Sequence, residues 1–473
     1  RMLKTIINDK EFYRGFSNFI NKYDGKAATI DEFIESVAGN SKEIDINRFK
    51  VWYEQNGTPE ITFKRIWEKQ KKRLTILIEQ KNPNNNNKVN TSPLIIPIKL
   101  AIFTNLNTYK SIKFILEDEA DKIIINDLET NLDIPKISYF REFSAPVKWS
   151  TDLSFDEELF LLENEVDLFT IYDSIKRIYK IIIKNNLLDI NTSSLEKKLI
   201  SSLKHIFLTK KDINLILLSE LINIPSFSDL ESEIENIDPL RIYQIIDSLN
   251  SNLSKTLIKE LSNKLNEIEP KINQSWPKGK DERRLTEMIW KLLLESDDKN
   301  ISKKILNFIT CENMTLSKAA LNSFQKFNST ERNQASDMFF EKWKNNNIVL
   351  DTWFFFSASS FRSNTFEHLE SLFNHELFDF KSPNTLRSVL NGFATNNRAF
   401  HNKEGKGYQF ISKKIIKFDK INPIIISRFL KIFSRWNSYV EPYKNKMHES
   451  LKYIDSHELS NNSREVINLI LNK

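Results

Sequence analysis

The spacing of hydrophobic residues changes twice along the chain. Near the start, Phe12, Phe16 and Phe19 recur every three or four residues, which is the period of an amphipathic helix. From Glu60 apolar and polar residues alternate, as they do in a half-buried strand. After Pro146 the helical period returns and continues to the C-terminus. The pattern therefore predicts a mainly helical chain that contains one short β region.

Stop and start signals divide the first segment into helices. Asp24-Gly25 predicts the end of a helix that begins near Met2, and Thr29 predicts the start of the next one. A third helix is expected over residues 45–55. No capping residue precedes Met2, which favours the interpretation that the start of this segment is missing. About sixty residues also make a poor core on their own.

Short strand-like runs follow between residues 60 and 148. They lie at 61–63, 74–78, 94–98, 100–103, 112–116, 122–125 and 134–140. About six strands in ninety residues, joined by polar turns, are typical of a small β-sandwich. The asparagine-rich run at 84–87 is expected to be a loop.

More than 300 residues with the helical period complete the chain. The first predicted helical runs are 152–184, 194–207, 211–222, 239–249 and 253–268. Most runs have eleven to eighteen residues and are joined by short polar loops, which fits helix pairs stacked into a superhelical solenoid better than a single bundle. The predicted fold class is multidomain and mainly α, with segments 1–59, 60–148 and 149–473.

Residues 382–433 gather features that the rest of the chain avoids. Three of the eight glycines fall within sixteen residues there, which indicates unusual backbone requirements. These are Gly392, Gly405 and Gly407. Ser382-Pro383 and Asn422-Pro423 predict helix starts on either side. Each helix start is followed by one arginine, Arg387 in the first helix and Arg428 in the second. The distance between them along the chain is close to the length of one two-helix solenoid repeat. We therefore expect both arginines on one concave face.

Composition narrows the possible partners. The chain has 69 Lys and Arg residues and 63 Asp and Glu residues, which gives a net charge of +6. The lysines are spread along the chain, so a solvated surface is favoured over binding to nucleic acid or to a membrane. A single cysteine, Cys311, fits a reducing compartment. No apolar run of ~18 residues and no signal peptide is present, so a cytoplasmic location is expected.

Motif searches predict neither a catalytic centre nor a metal site within the chain. A helical zinc-protease site needs a second histidine four residues after a His-Glu pair. After His375-Glu376 that position is Asp379, and after His448-Glu449 it is Lys452. His401 is expected to form hydrogen bonds within its loop.

Several short strings, in order along the chain, resemble a known family. They include Tyr23-Asp24-Gly25-Lys26-Ala27-Ala28-Thr29, Trp52-Tyr53, Glu142-Phe143-Ser144-Ala145-Pro146-Val147-Lys148, Ile237-Asp238-Pro239, Lys342-Trp343, Arg387-Ser388, Phe400-His401 and Gly405-x-Gly407-Tyr408. The chain resembles the zinc metallo-aminopeptidases of the gluzincin clan, the bacterial aminopeptidase N (alanyl aminopeptidase) family among them. Each string alone is weak, whereas the ordered set covers essentially all 473 residues.

The resemblance implies the C-terminal half of such an enzyme. Residues 1–59 would be the last helices of the thermolysin-like catalytic domain, 60–148 a β-sandwich spacer, and 149–473 a helical lid over the substrate cavity. The parent would use zinc to release N-terminal residues from short peptides. Its zinc motif would precede Arg1, so this segment would bind no cofactor and be inactive alone. Its partners would be short peptides and the missing N-terminal and catalytic domains.

The same resemblance suggests substrate-cavity residues. Arg387 and Arg428 match positions from which family members point arginines toward that cavity, where a guanidinium can pair with a peptide carboxylate. A buried ion pair within the helix stack is the alternative for each. The string Asn396-Asn397-Arg398 departs from the Asn-Pro of the family pattern.

A second function class remains open from the residues. The sandwich and solenoid together suit a non-catalytic module that holds a peptide or protein. The uncapped start at Arg1 favours the enzyme fragment, and a His-Glu-x-x-His motif encoded upstream in frame would decide between the two.

Overall fold

A computed structural model describes residues 1–39, 41–82, 92–106 and 108–472. The asparagine-rich run at 84–87, expected to be a loop, lies outside these residues. The chain divides into two compact units, Arg1–Ile178 and Tyr179–Lys473. The boundaries predicted after residues 59 and 148 stay predictions. No helix in the described ranges is long and apolar enough to cross a membrane.

Four helices open the first unit. They are α1 (Met2–Ile7), α2 (Asp9–Tyr23), α3 (Ile30–Ala38) and α4 (Ile46–Glu54). Thr29 caps α3 through a capping box with Glu32, which confirms the predicted start. The single run expected from Met2 is wrong, because Asn8 has φ 69° and its side chain caps a new helix, α2.

Within the described residues, seven strands form the β region of this unit. They are β1 (Glu60–Glu68), β2 (Arg73–Lys81), β3 (Ile96–Phe103), β4 (Tyr109–Leu116), β5 (Ala120–Ile125), β6 (Lys136–Ser138) and β7 (Lys148–Ser150). One sheet has the order β5-β2-β1-β7 and the other β4-β3-β6. Inward residues such as Phe63, Ile76 and Ile98 are fully buried. The two sheets share one core, as the predicted sandwich requires.

The expectation that strands cease after Pro146 is wrong. Strand β7 pairs parallel with β1, placing Glu60 opposite Lys148 and Thr62 opposite Ser150. A three-residue strand is too short to reveal a period of two, so the sequence carried no alternation signal for it.

Helices make up the rest of the chain. They are α5 (Phe155–Asn164), α6 (Leu168–Leu187), α7 (Ser193–Thr209), α8 (Leu215–Leu221), α9 (Phe227–Glu231), α10 (Pro239–Ile272), α11 (Lys280–Leu293), α12 (Lys299–Leu306), α13 (Met314–Phe324), α14 (Thr330–Trp343), α15 (Asn347–Ser359), α16 (Thr365–Phe373), α17 (Pro383–Thr395), α18 (Asn397–Phe400), α19 (Lys406–Asp419), α20 (Pro423–Phe429), α21 (Tyr443–Asp455) and α22 (Asn461–Leu471). The division between the units falls within α6.

The predicted helices at 239–249 and 253–268 are one continuous helix, α10. Asn250 and Asn252 lie between the two predicted runs, and their side chains form hydrogen bonds without interrupting the helix. The Asn250 amide donates to the Ile246 carbonyl at 2.9 Å, and the Asn252 amide donates to Glu196 at 2.9 Å. The run at 152–184 is instead two helices, α5 and α6.

Within the second unit, the residues before α10 contact the residues before α21. The Ile237 amide donates to the Ser438 carbonyl at 2.8 Å, and the Val440 amide donates to the Ile237 carbonyl at 3.0 Å. The Tyr439 hydroxyl donates to Glu231 at 2.8 Å. Early and late helices of this unit therefore meet, which brings α10 beside α18.

Candidate functional site

Arg387 lies on the exposed face of α17. Ser382 caps this helix, as predicted, and Leu386 and Leu390 are buried on the opposite face. The Arg387 side chain is exposed and donates from Nη2 to Oδ1 of Asn384 at 2.7 Å. Its charge has no carboxylate partner among the described residues.

Arg428 lies on the exposed face of α20. Asn422 precedes this helix, but its side chain donates to the Phe380 carbonyl at 2.9 Å and does not cap the helix. The Arg428 side chain is exposed, and within the described ranges it has no ion-pair partner. The buried ion pair considered for Arg387 and Arg428 is therefore wrong for both. Their role in a substrate cavity stays a prediction.

Two of the clustered glycines are required for different structural reasons. Gly405 precedes the first residue of α19 and has φ +75°, a left-handed conformation that glycine adopts without steric cost. Gly392 lies inside α17 against α15, where a Cβ atom would lie 2.5 Å from the Phe355 carbonyl oxygen. A side chain at this position would prevent the close approach of α15 and α17.

The second unit contains a cavity of about 520 Å³ that the sequence analysis did not predict. Helices α10, α11 and α13 contribute to its wall, together with the segments around α9 and α18. Its charged lining residues are Asp247, Lys291, Glu295, Lys326 and Arg398. Several asparagine amides and aromatic rings complete the wall, so the cavity offers both charges and amide hydrogen bonds.

Ion pairs connect the charged groups of the cavity. Asp247 pairs with Arg398 and lies 3.9 Å from the ammonium of Lys326. Lys326 also pairs with Glu295. Burial, opposed by the charge of Asp247 and assisted by that of Arg398, lowers the pKa of Lys326 to about 8. This ammonium is therefore costly to keep charged inside the wall.

His401 is a structural residue beside this cavity. It is 7 % exposed, and its Nδ1 lies 2.8 Å from the Tyr408 hydroxyl. Burial lowers the pKa of His401 to about 3, so the ring is neutral at pH 7. His401 therefore forms a hydrogen bond as expected, but its partner Tyr408 lies in α19 and not in the loop.

Sequence reasoning missed the cavity because its charges are distant along the chain. Asp247 and Arg398 are 151 residues apart, and each sits in an ordinary amphipathic context. One available signal was the departure at Asn396-Asn397-Arg398 from the Asn-Pro pattern. Among the described residues, no three or more His, Cys, Asp or Glu side chains are grouped so that they could hold a metal ion.

Two protein-family models match consecutive parts of the chain. Residues 156–472 match the model of a domain of unknown function (DUF3458_C) that is described as ARM repeats. The chain belongs to the DUF3458_C family. Residues 57–152, just before the DUF3458_C match, match the model of a second domain of unknown function (DUF3458), described as an Ig-like fold. Both descriptions confirm the predicted fold class of a small β-sandwich followed by a helical solenoid.

Curated relatives of this DUF3458_C chain are similar along nearly its whole length. Aminopeptidase N of Escherichia coli is 26% identical over 96% of this chain and 53% of its own length. Aminopeptidase N of Haemophilus influenzae is 24% identical over 96% of this chain and 54% of its own length. The chain thus spans about half the length of these relatives. The predicted resemblance to a C-terminal part of aminopeptidase N is confirmed.

A solved structure shares the fold. The crystal structure of Legionella pneumophila aminopeptidase A in complex with aspartic acid superposes with a TM-score of 0.87 at 24% identity. It covers 100% of this chain and 55% of the other chain. This likeness shows that the chain has the fold of the corresponding part of that structure. The curated relatives show that it is an aminopeptidase-related segment.

Proposed function

We propose that this chain supplies the C-terminal portion of a zinc-dependent aminopeptidase that releases N-terminal residues from short peptides. The alignment with aminopeptidase N along nearly the whole chain carries the proposal. In this arrangement the β-sandwich is a spacer, and the helical unit is a lid that encloses the substrate cavity. The segment alone has no peptidase activity.

Zinc belongs to another part of the parent in this proposal. The described residues do not fit a zinc ion, since they contain no suitable group of His, Cys, Asp and Glu. In the proposal the zinc motif would lie in the part of the parent enzyme that this chain does not cover. When bound there, zinc would supply Lewis-acid chemistry for peptide hydrolysis. The residues of this chain would contribute substrate binding and exclusion of water.

Arg387 and Arg428 are the proposed substrate contacts of the lid. Both guanidinium groups are exposed, and neither pairs with a carboxylate in the described part of the chain. A guanidinium without a carboxylate partner is available to bind the terminal carboxylate of a short peptide. Location on the exposed faces of α17 and α20 supports this role, because the buried faces of both helices are occupied by apolar packing.

The test is a double substitution, Arg387→Ala with Arg428→Ala, in the complete enzyme. An ion pair made by a solvent-exposed group is worth ~0.2–1 kcal/mol, so the two arginines together contribute roughly 1.4 kcal/mol. We expect KM to rise about tenfold for dipeptides and tripeptides. An aminoacyl-arylamide has no terminal carboxylate, so its KM should change much less.

Arg284→Ala is the matched control. Arg284 is another exposed arginine of the helical unit, but it pairs with Glu220 at 3.0 Å. Its loss should leave both kinds of substrate unaffected. An equal rise in KM for peptides and arylamides in the double variant would contradict the carboxylate-binding role.

A further inference from the structure

Two cavities of the helical unit share one wall. The larger has a volume of about 520 Å³ and the smaller about 380 Å³. Four residues line both cavities, and they are Tyr243, Asp247, Asn397 and Arg398. The ion pair between Asp247 and Arg398 therefore separates two spaces, each of which exceeds the volume of a small organic molecule.

Aromatic rings fix the position of the Arg398 guanidinium. Its Cζ atom lies 4.9 Å from the centroid of the Phe361 ring and 5.6 Å from that of Tyr243. Burial raises the pKa of Tyr243 to about 12, so this ring remains neutral. The contacts hold the guanidinium plane without using its hydrogen-bond donors. Nη2 donates to Asp247, and Arg398 lines both cavities.

The residues common to both cavities carry one positive and one negative charge, and Arg398 and Asp247 pair with each other. In the larger cavity Lys326 pairs with Glu295 and Lys291 with Glu287, and Lys403 lines only the smaller cavity. A ligand with a single charge would separate one pair and leave a half-buried group unpaired, which is costly. A ligand with one positive and one negative group can replace one ion pair by two. The wall therefore favours a zwitterion over a simple anion or cation.

Amide groups extend the wall on both sides of the ion pair. Asn250 and Asn322 line the larger cavity, and Gln244 and Asn402 line the smaller one. Each carries both donors and an acceptor. These groups can satisfy further polar atoms of a ligand whose charges occupy the ion pair, without adding a net charge to the site.

We propose that Asp247 and Arg398 bind a free α-amino acid between them. The ligand carboxylate contacts Arg398, and the ligand ammonium contacts Asp247. Because the two side chains are in direct contact, the short charge separation of an α-amino acid disturbs the wall less than the longer one of a peptide. The inference rests on the cavity geometry, so its failure would leave the proposed peptidase role untouched.

Calorimetric titration of the 473-residue chain with alanine tests the proposal. Acetate and ethylammonium each carry one of the two charges and serve as comparison ligands, and dialanine carries both at greater separation. We expect alanine to bind at least tenfold more tightly than acetate or ethylammonium. Equal binding of alanine and acetate would overturn the proposal. Tighter binding of dialanine than of alanine would overturn the assignment to a free amino acid.

Variants locate the binding. Arg398→Gln and Asp247→Asn should each weaken alanine binding at least tenfold. A matched control is Arg464→Gln, which removes half of the Arg464–Asp455 ion pair, whose side chains are similarly exposed and line neither cavity. It should bind alanine as the wild type does. Unchanged binding in Arg398→Gln would refute the assignment.

A measurement on the wild type avoids any folding defect of the variants. Bound alanine should slow backbone hydrogen exchange in peptides that cover residues 243–250 and 396–402. Peptides covering residues 455–464 provide the internal reference. Slowing at the reference residues alone, or at neither place despite measurable binding, would place the ligand elsewhere and contradict the proposal.

Discussion

Replacement of Glu157 by glutamine should destabilise the first unit in a pH-dependent way. Glu157 accepts hydrogen bonds from Arg65 on β1 at 2.6 and 3.0 Å and from Lys136 at 3.2 Å. It also completes the capping box of α5 with Ser154. Both Arg65 and Glu157 side chains are 8% exposed. The pair joins a strand of the sandwich to the first helix after it.

The pKa of Glu157 sets the size of the effect. Burial by itself would raise this pKa, but the hydrogen bonds and charge of Arg65 outweigh burial and lower it from 4.5 to about 2. At about 1.4 kcal/mol per pKa unit, the ionised form gains at most about 3.5 kcal/mol. Arg65 also pairs with Asp152, whose side chain is more exposed to solvent. Solvent screening reduces the stabilisation to about 2 kcal/mol.

The sign of the pH dependence follows from the lowered pKa. The folded state holds the ionised carboxylate more strongly than the unfolded state, so the stabilisation is complete above about pH 4.5. It is lost as the pH falls toward 2. At pH ~3.5 roughly 1 kcal/mol of it should be gone. Glutamine at residue 157 cannot ionise and has no such dependence.

Calorimetric unfolding at pH 6 and pH 3.5 checks this reasoning. For a unit of this size, about 2 kcal/mol corresponds to a Tm lowered by about 4–8 °C at pH 6. The difference between wild type and Glu157→Gln should shrink by about half at pH 3.5. Glu163→Gln in the same helix is the control and should have little effect at either pH. An equal Tm difference at both pH values would show that charge is not the cause.

Two further predictions concern packing in the helical unit. Gly392→Ala should cost about 1–3 kcal/mol, because the new methyl group would meet the Phe355 carbonyl, whereas Asn391→Ala on the exposed face should be nearly neutral in chemical denaturation. Tyr179→Phe should cost about 1–2 kcal/mol, since it removes the buried hydroxyl that donates to the Leu221 carbonyl at 2.8 Å. An unchanged denaturation midpoint for either variant would contradict the corresponding contact.

Local sequence signals predicted the regular parts of the fold. Thr29 predicted the start of α3, and Ser382-Pro383 that of α17, because capping depends on residues within one turn. The strand-like runs predicted the sandwich because the strand pattern is also visible within a short segment of sequence. Strand β7 escaped prediction because three residues are too few to show an alternating pattern. The continuity of α10 escaped it because Asn252 finds its partner, Glu196, on another helix.

The candidate sites show a similar division. Arg387 and Arg428 were singled out by their helices, and the structure shows that both are exposed, which periodicity alone did not determine. The Asp247–Arg398 pair joins groups that no local pattern connects. The pair forms only in the tertiary fold, in which α18 contacts α10.

Reconstitution tests the central claim most directly. Zinc content and aminopeptidase activity would be measured for this chain alone, for the complementary half of the parent enzyme, and for an equimolar mixture. The account predicts no zinc and no activity in this chain alone, and peptidase activity on short peptides when both halves are present. Stoichiometric zinc with peptide hydrolysis by this chain alone would contradict it.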